Sequence, residues 1–286
     1  MSRIHFKAAG SEPARSLAFL RSPAAAACLR VGVGMALAMS VSLSVQAKPY
    51  EEESDEDTLG MIWTPERLKL AASGDPERGK KLALDRKHKC FKCHGETGIS
   101  DEEDVETPNL AGQLPHYIFK QLMDYKSKAR VERSMNKQAR RLEPQDMADL
   151  AAYYAGQTPE RPEPSAASVP LLVMQGDYER RIMPCALCHG FEGEGLGFQL
   201  PVLAGQKKEY LVFTLNEFRE GDRANDRYGH MADFVERMTP EEIELVAAYF
   251  AKLAPKGPVS RDAILDWRHL MPTLRTGESR VPKAAQ

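Results

Sequence analysis

Two copies of one short cysteine motif constrain this chain more than anything else in it. Cys90-Phe91-Lys92-Cys93-His94 and Cys185-Ala186-Leu187-Cys188-His189, each followed by Gly, account for four of the five cysteines in 286 residues. Three common uses of paired cysteines meet difficulties here. A thioredoxin-like redox pair belongs at a strand-to-helix junction, and no strand pattern precedes either pair. Structural zinc takes four closed ligands, whereas these Cys-Cys-His sets stand 95 residues apart in independently repeated surroundings. An extracytoplasmic disulfide would not call for a histidine beside each second cysteine.

The pattern that remains is C-x-x-C-H, the attachment site of haem c. Two thiols one helical turn apart reach the two vinyl groups of one haem as thioethers, and the adjacent imidazole comes to lie under the iron. Cys90, Cys93, Cys185 and Cys188 are the expected anchors of two covalently bound haem c groups, with His94 and His189 as proximal iron ligands.

The motifs sit inside a longer repeat. Pro108-Asn109-Leu110-Ala111-Gly112-Gln113 answers Pro201-Val202-Leu203-Ala204-Gly205-Gln206, and Tyr117 and Tyr210 each lie four residues past the glutamine. Ala151-Ala152-Tyr153-Tyr154 answers Ala247-Ala248-Tyr249-Phe250 at an offset of 96. Two homologous domains follow. The same offset relates Met135 to Met231, 41 and 42 residues after His94 and His189, and no other methionine pair keeps this register. A lone methionine is ordinarily core filling. A repeat-equivalent pair beside polar residues is instead expected to supply the distal iron ligands. Met147 reads as core, in a stripe with Leu150, Ala151 and Tyr154, and Met123 as packing. The Pro108 and Pro201 carbonyls are candidates to accept the proximal His Nδ1 proton, with loop shaping as the alternative. His88, His116, His230 and His269 lack counterparts and read as surface residues, with His88 bordering the crevice.

Composition bounds the rest. At 42% apolar and 28% charged residues the chain can bury a core, and a formal charge of -2 gives no basic field for nucleic acid. Arg15, Arg21 and Arg30 precede an apolar run over 31–45 and the small-residue site Val45-Gln46-Ala47, which reads as an export signal cleaved after Ala47. A retained anchor is the alternative. The organisation expected is a signal peptide at 1–47, which contains Cys28, an acidic disordered leader at 48–63, a first domain at 64–156, a Pro-rich linker at 157–170, a second domain at 171–254 and a tail at 255–286. Without the signal, 34 basic face 40 acidic side chains, so the mature chain is expected to associate with a basic partner patch. Thr64-Pro65 and Asp75-Pro76 should open helices, a second helix of the domain should span about 117–130 and a third begin at Pro144, with a capping box at Thr239. In the tail, Ile264, Trp267 and Met271 fit one short amphipathic helix. With no strand alternation of useful length, the fold is expected to be all-α.

Taken together, the two C-x-x-C-H-G units, the Pro-x-Leu-Ala-Gly-Gln loops, the Met-bearing loops, the Ala-Ala-Tyr-aromatic last helices and the stretch from Phe218 to Asp226 resemble the di-haem cytochromes of the cytochrome c4 family over residues 75–253. The resemblance implies two tandem class I cytochrome c domains related by pseudo-twofold symmetry. It also implies ligation of one iron by His94 and Met135 and of the other by His189 and Met231, and electron carriage in the periplasm toward a terminal oxidase. Expected partners are redox proteins such as a membrane cytochrome complex and an oxidase, with room for peripheral membrane association. The Met135 loop departs from its counterpart, with 25 residues from Leu110 to Met135 against 28 from Leu203 to Met231. Two other readings stand beside a free carrier: an electron-accepting subunit of a dehydrogenase or oxidase complex, and a di-haem peroxidase, which would need one iron with an open position.

Overall fold

A computed structural model of the chain describes residues 60–101, 106–160, 162, 168–197, 199–226 and 228–258. The signal peptide, leader residues 48–59 and the tail beyond residue 258, with its expected helix and His269, lie outside the described residues. The architecture is all-α, and among the described residues the only β features are the isolated bridges Asp177–Ile182 and Gly197–Leu200.

In the first lobe the helices are α1 (Pro65–Ala72), α2 (Pro76–Leu84), α3 (Phe91–His94), α4 (Pro115–Ser127), α5 (Arg133–Ala139) and α6 (Pro144–Ala155). Their starts are chemically specified. Thr64 Oγ1 accepts from Arg67 N at 3.2 Å, and Asp75 Oδ1 accepts from Glu77 N at 2.9 Å and Arg78 N at 3.2 Å, satisfying N–H groups the helices cannot. Helix α4 ends earlier than the sequence suggested. Lys128 adopts a left-handed φ of 71°, and the chain turns back so that Arg130 N donates to Asp124 O at 3.2 Å.

Helix α2 crosses α6 at backbone contact. A Cβ on Gly79 would lie 2.0 Å from Asp149 O, so only glycine fits. Beside it Arg78 forks onto Asp149, Nε to Oδ2 at 2.7 Å and Nη2 to Oδ1 at 2.9 Å. Phe119, Met147, Leu150 and Tyr154 fill the core beneath. The second lobe has α7 (Leu171–Met174), α8 (Cys185–His189), α9 (Lys208–Glu220), α10 (His230–Val235) and α11 (Pro240–Ala251). Its opening helix is a single turn. The role of the α2 clamp passes to Arg180, whose guanidinium bonds Glu242 at 2.7 and 2.9 Å and Asp177 at 2.7 Å, above a core of Val173, Ile182, Ile243, Val246 and Phe250.

Two expectations need correction. The leader does not stay outside the fold to residue 63: Met61 is buried, its N–H donates to Asp124 Oδ1 at 2.6 Å, and Trp63 packs 6.0 Å from Phe119. His116 is not a surface residue. Trp63 lies edge-on to it at 5.7 Å, its exposure is 7%, and burial pushes its pKa down to about 4. His88 is likewise buried, and Asp85 Oδ2 lies 2.9 Å from its Nδ1.

His116 is therefore neutral in the fold, while the unfolded chain takes up its proton near pH 6.5. Stability should be complete above that value and fall as pH drops from 6.5 toward 4, by about 3 kcal/mol over the interval. Denaturant titrations of the holoprotein across this range should show His116→Phe flattening the slope relative to the parent chain.

Candidate haem centres

Each motif forms one tight turn. His94 N donates to Cys90 O at 3.0 Å, and Cys90, Cys93 and His94 all line one wall of the same cavity. The glycine that follows ends the turn in a left-handed conformation, Gly95 at φ 70° and Gly190 at φ 85°. A Cβ on Gly95 would lie 2.0 Å from Ile99 O, so the fifth residue after each first cysteine has to be glycine. None of the four cysteines is in a disulfide. Burial pushes the Cys90 and Cys185 thiols up to about 11, which is the reverse of an activated redox thiolate.

Both motif histidines are buried, at 8% and 7% exposure. His94 Nδ1 lies 3.1 Å from Pro108 O, and His189 Nδ1 lies 3.1 Å from Pro201 O. With Nδ1 held by a carbonyl, Nε2 is the nitrogen each ring offers a metal, and the tautomer is set. Met135 stands on α5 and Met231 on α10. Each has its backbone N–H held by a nearby carboxylate, Glu132 Oε2 at 2.6 Å and Asp226 Oδ2 at 2.7 Å.

All ten of these cysteine, histidine, proline and methionine residues line one continuous cavity of about 1000 Å³ that runs through both lobes. That is the upper end of the range for a ligand site. Its wall also carries buried polar atoms with no hydrogen-bond partner among the described residues: His88 Nε2, Gln138 Oε1, Tyr154 Oη and Asp226 Oδ1. Two thiols, a tautomer-fixed imidazole and a thioether, set twice around an apolar space with unpaired polar atoms, fit two haem c groups. Among the described residues no three His, Cys, Asp or Glu side chains converge on a common metal position.

The seam between the lobes is built from the repeat itself. Gln206 Oε1 accepts from Asn109 N and its Nε2 donates to Asn109 O, both at 2.9 Å. Reciprocally, Gln113 Oε1 accepts from Val202 N at 2.9 Å and its Nε2 donates to Val202 O at 3.0 Å. A second reciprocal pair lies deeper, Arg130 Nη2 to Tyr210 Oη at 3.2 Å and Arg223 Nη2 to Tyr117 Oη at 3.0 Å. These exchanges are the pseudo-twofold axis in chemical form. It is broken where Lys120 Nζ reaches Asp124 Oδ2 at 2.5 Å and also the carbonyl of Asn225, whose side-chain amide donates to Asp124 Oδ2 at 2.6 Å. Lys120, Arg130 and Arg223, each at most 5% exposed, all face the shared cavity. The repeated Gln and Tyr were visible in the sequence without a role. Arg130 and Arg223, 93 positions apart as are Tyr117 and Tyr210, could have been found by the same alignment.

The cytochrome c sequence model matches residues 76–156 and 182–254, more than half of the chain. Cytochrome c4 of Thiocapsa roseopersicina is 40% identical over 187 residues, which is 63% of this chain and 94% of that protein. The chain belongs to the cytochrome c4 family. It is a di-haem electron-transfer cytochrome with two covalently bound haem c groups. A thiosulfate dehydrogenase electron acceptor of Stutzerimonas stutzeri is 35% identical over 58% of this chain and 80% of its own length. The crystal structure of reduced recombinant cytochrome c4 from Pseudomonas stutzeri superposes with a TM-score of 0.58 at 29% identity, covering 63% of this chain and 100% of that one.

Gln113→Ala removes two hydrogen bonds across the seam and leaves the Val202 peptide unpaired, a loss of about 2 kcal/mol; Gln206→Ala should match it by symmetry. Because both act on one seam, thermal unfolding of the double variant should show less than the sum of the two losses.

Proposed function

We propose that this cytochrome is a periplasmic shuttle between a respiratory donor and a terminal oxidase or similar acceptor, with His94 and Met135 ligating one iron and His189 and Met231 the other. The observation that carries the reading is the recurrence of one donor set, two thiols, a carbonyl-held imidazole and a thioether, around a single cavity. Bound there, haem iron supplies one-electron cycling between Fe(II) and Fe(III). Cys90 with Cys93, and Cys185 with Cys188, hold the two groups as thioethers. The carbonyls of Pro108 and Pro201 keep each Nδ1 proton in place and make Nε2 a better donor. Met135 and Met231 bring soft sulfur that favours Fe(II) and fill the position a substrate would need. Arg130 and Arg223 put positive charge at the cavity wall, opposite in sign to haem carboxylates.

Export rests on the arginine-led apolar run before Ala47. Among the described residues no helix is long and apolar enough to cross a membrane. A second reading, an acceptor working beside a dehydrogenase, draws on the likeness to the Stutzerimonas acceptor; co-purification with a large partner separates it from a free carrier.

Replacing Cys90 and Cys93 together by Ala should leave one covalent haem per exported chain, read by intact-mass spectrometry. Two haems still attached would refute the anchor assignment.

The oxidised protein should be low-spin at both irons, and the reduced protein should be slow to bind carbon monoxide. Met135→His or Met231→His should lower the potential of that centre by on the order of 0.1 V, within the roughly 0.8 V that axial ligands command, and keep it low-spin. Met135 is the sharper test, because its loop is shorter. A native high-spin fraction traced to the first centre, with peroxide turnover, would overturn the carrier reading in favour of an enzyme.

A further inference from the structure

The two cavity mouths are built from equivalent residues of opposite character. On the C-x-x-C-H side of the first lobe, Arg86, Lys87, Lys89 and Lys92 are all exposed around Cys93, itself exposed. On the Met135 side, Arg133, Lys137, Arg140 and Arg141 are exposed as well. The two sides meet, since Arg141 Nη1 reaches Lys87 O at 3.5 Å and Lys89, Cys93, Ser134 and Met135 line the same opening. None of the eight cations forms an ion pair with a described carboxylate. Of the acids near the rim, Asp85 accepts from the N–H groups of Lys87 and His88 and Glu132 caps α5, while Glu96 and Glu106 are exposed there, two carboxylates against eight cations.

The equivalent positions of the second lobe include Pro184, Leu187, Asp233 and Glu236. Arg237, the counterpart of Arg141, is paired with Asp233 at 2.6 Å. Met183, Leu187 and Phe191 stand exposed at 36, 59 and 66% where the first lobe has His88, Lys92 and Glu96. The asymmetry extends to the whole lobes: residues 64–156 hold 17 Lys/Arg against 15 Asp/Glu, and residues 171–254 hold 9 against 14.

We infer that the basic rim of the first lobe is the docking surface for a redox protein with an acidic face, so that exchange with such a partner runs through the first haem centre and not the second. This rests on the carrier reading and reverses the partner charge expected from the acidity of the mature chain. Net charge is dominated by residues away from the opening, whereas docking is governed by the field at the patch where the groups meet. Eight cations with no ion pair to a described carboxylate, against exposed Glu96 and Glu106, steer an acidic face onto that patch, and the equivalent positions of the second lobe offer no comparable field.

Stopped-flow oxidation of the fully reduced, full-length holoprotein by a cupric acidic plastocyanin tests this. One electron passes from ferrous iron to Cu(II), giving ferric iron and Cu(I), and no proton moves. The second-order rate should fall about tenfold or more between roughly 10 and 200 mM salt. The variant carrying Lys87→Gln, Lys89→Gln, Arg140→Gln and Arg141→Gln should lose about tenfold at low salt and most of the salt dependence. Its low-spin spectra and potentials should match the parent, which separates failure of docking from failure of the carrier reading. The tricationic tris(phenanthroline)cobalt(III) should react no slower with the variant than with the parent. Arg181→Gln with Arg237→Gln, at equivalent positions of the second lobe, should leave the plastocyanin rate unchanged. An equal loss in that pair, or a rim variant that keeps the parent rate and salt response, would overturn the assignment. So would a rise of tenfold on changing Glu51, Glu52 and Glu53 to Gln, because the rim would then belong to the chain's own acidic leader.

Discussion

The Pro-x-Leu-Ala-Gly-Gln loop carries two duties on adjacent peptides, and the rest of the molecule depends on that economy. Pro108 offers its carbonyl to His94 of its own lobe, and the next residue, Asn109, has both its N–H and its C=O taken by Gln206 of the other lobe. Pro201 and Val202 repeat the arrangement toward His189 and Gln113. Imidazole orientation and lobe pairing are thus one peptide apart. A shift along the seam is a shift of the carbonyl that aims the ring, and the two centres share a mechanical reference as well as a cavity.

Beneath the glutamines the seam holds charge at considerable cost. Lys120 and Asp124 are almost wholly enclosed, a setting in which an ion pair survives only when its remaining protons and lone pairs are met. Most are: Asn225 supplies a carbonyl to the lysine and an amide to the aspartate, and Met61 N donates to the other carboxylate oxygen. In the second lobe the matching positions are Phe213 and Glu217, so this pair has no symmetric copy. The break in symmetry is also where the leader enters, and three separate stretches of chain, around residues 61, 124 and 225, meet on one carboxylate.

How much could be read from the sequence follows from what range each feature works over. The motif turns, the caps at Thr64, Asp75 and Thr239 and the Met147 stripe are set within a few residues, so spacing reveals them. The Pro carbonyls were reachable because two copies of a loop could be laid over each other. The burial of His116 was not, since it depends on Trp63, more than fifty residues earlier, folding across it. Nor was the α4 end, where Lys128 takes a conformation usually left to glycine, as its counterpart Gly221 shows. The seam charges were hidden for a further reason: Arg130 and Arg223 look like ordinary surface arginines until each is placed against the tyrosine of the other lobe.

Because each glutamine reads the other lobe's backbone in the same way, the seam has the form of an isologous homodimer contact whose two copies happen to share a chain. The linker then works chiefly as a tether. Joining the partners in one chain makes their encounter intramolecular, so the seam forms independently of protein concentration. Four side-chain-to-peptide bonds and two Arg–Tyr contacts, with the Lys120, Asn225 and Asp124 contacts beside them, then keep the two lobes in register.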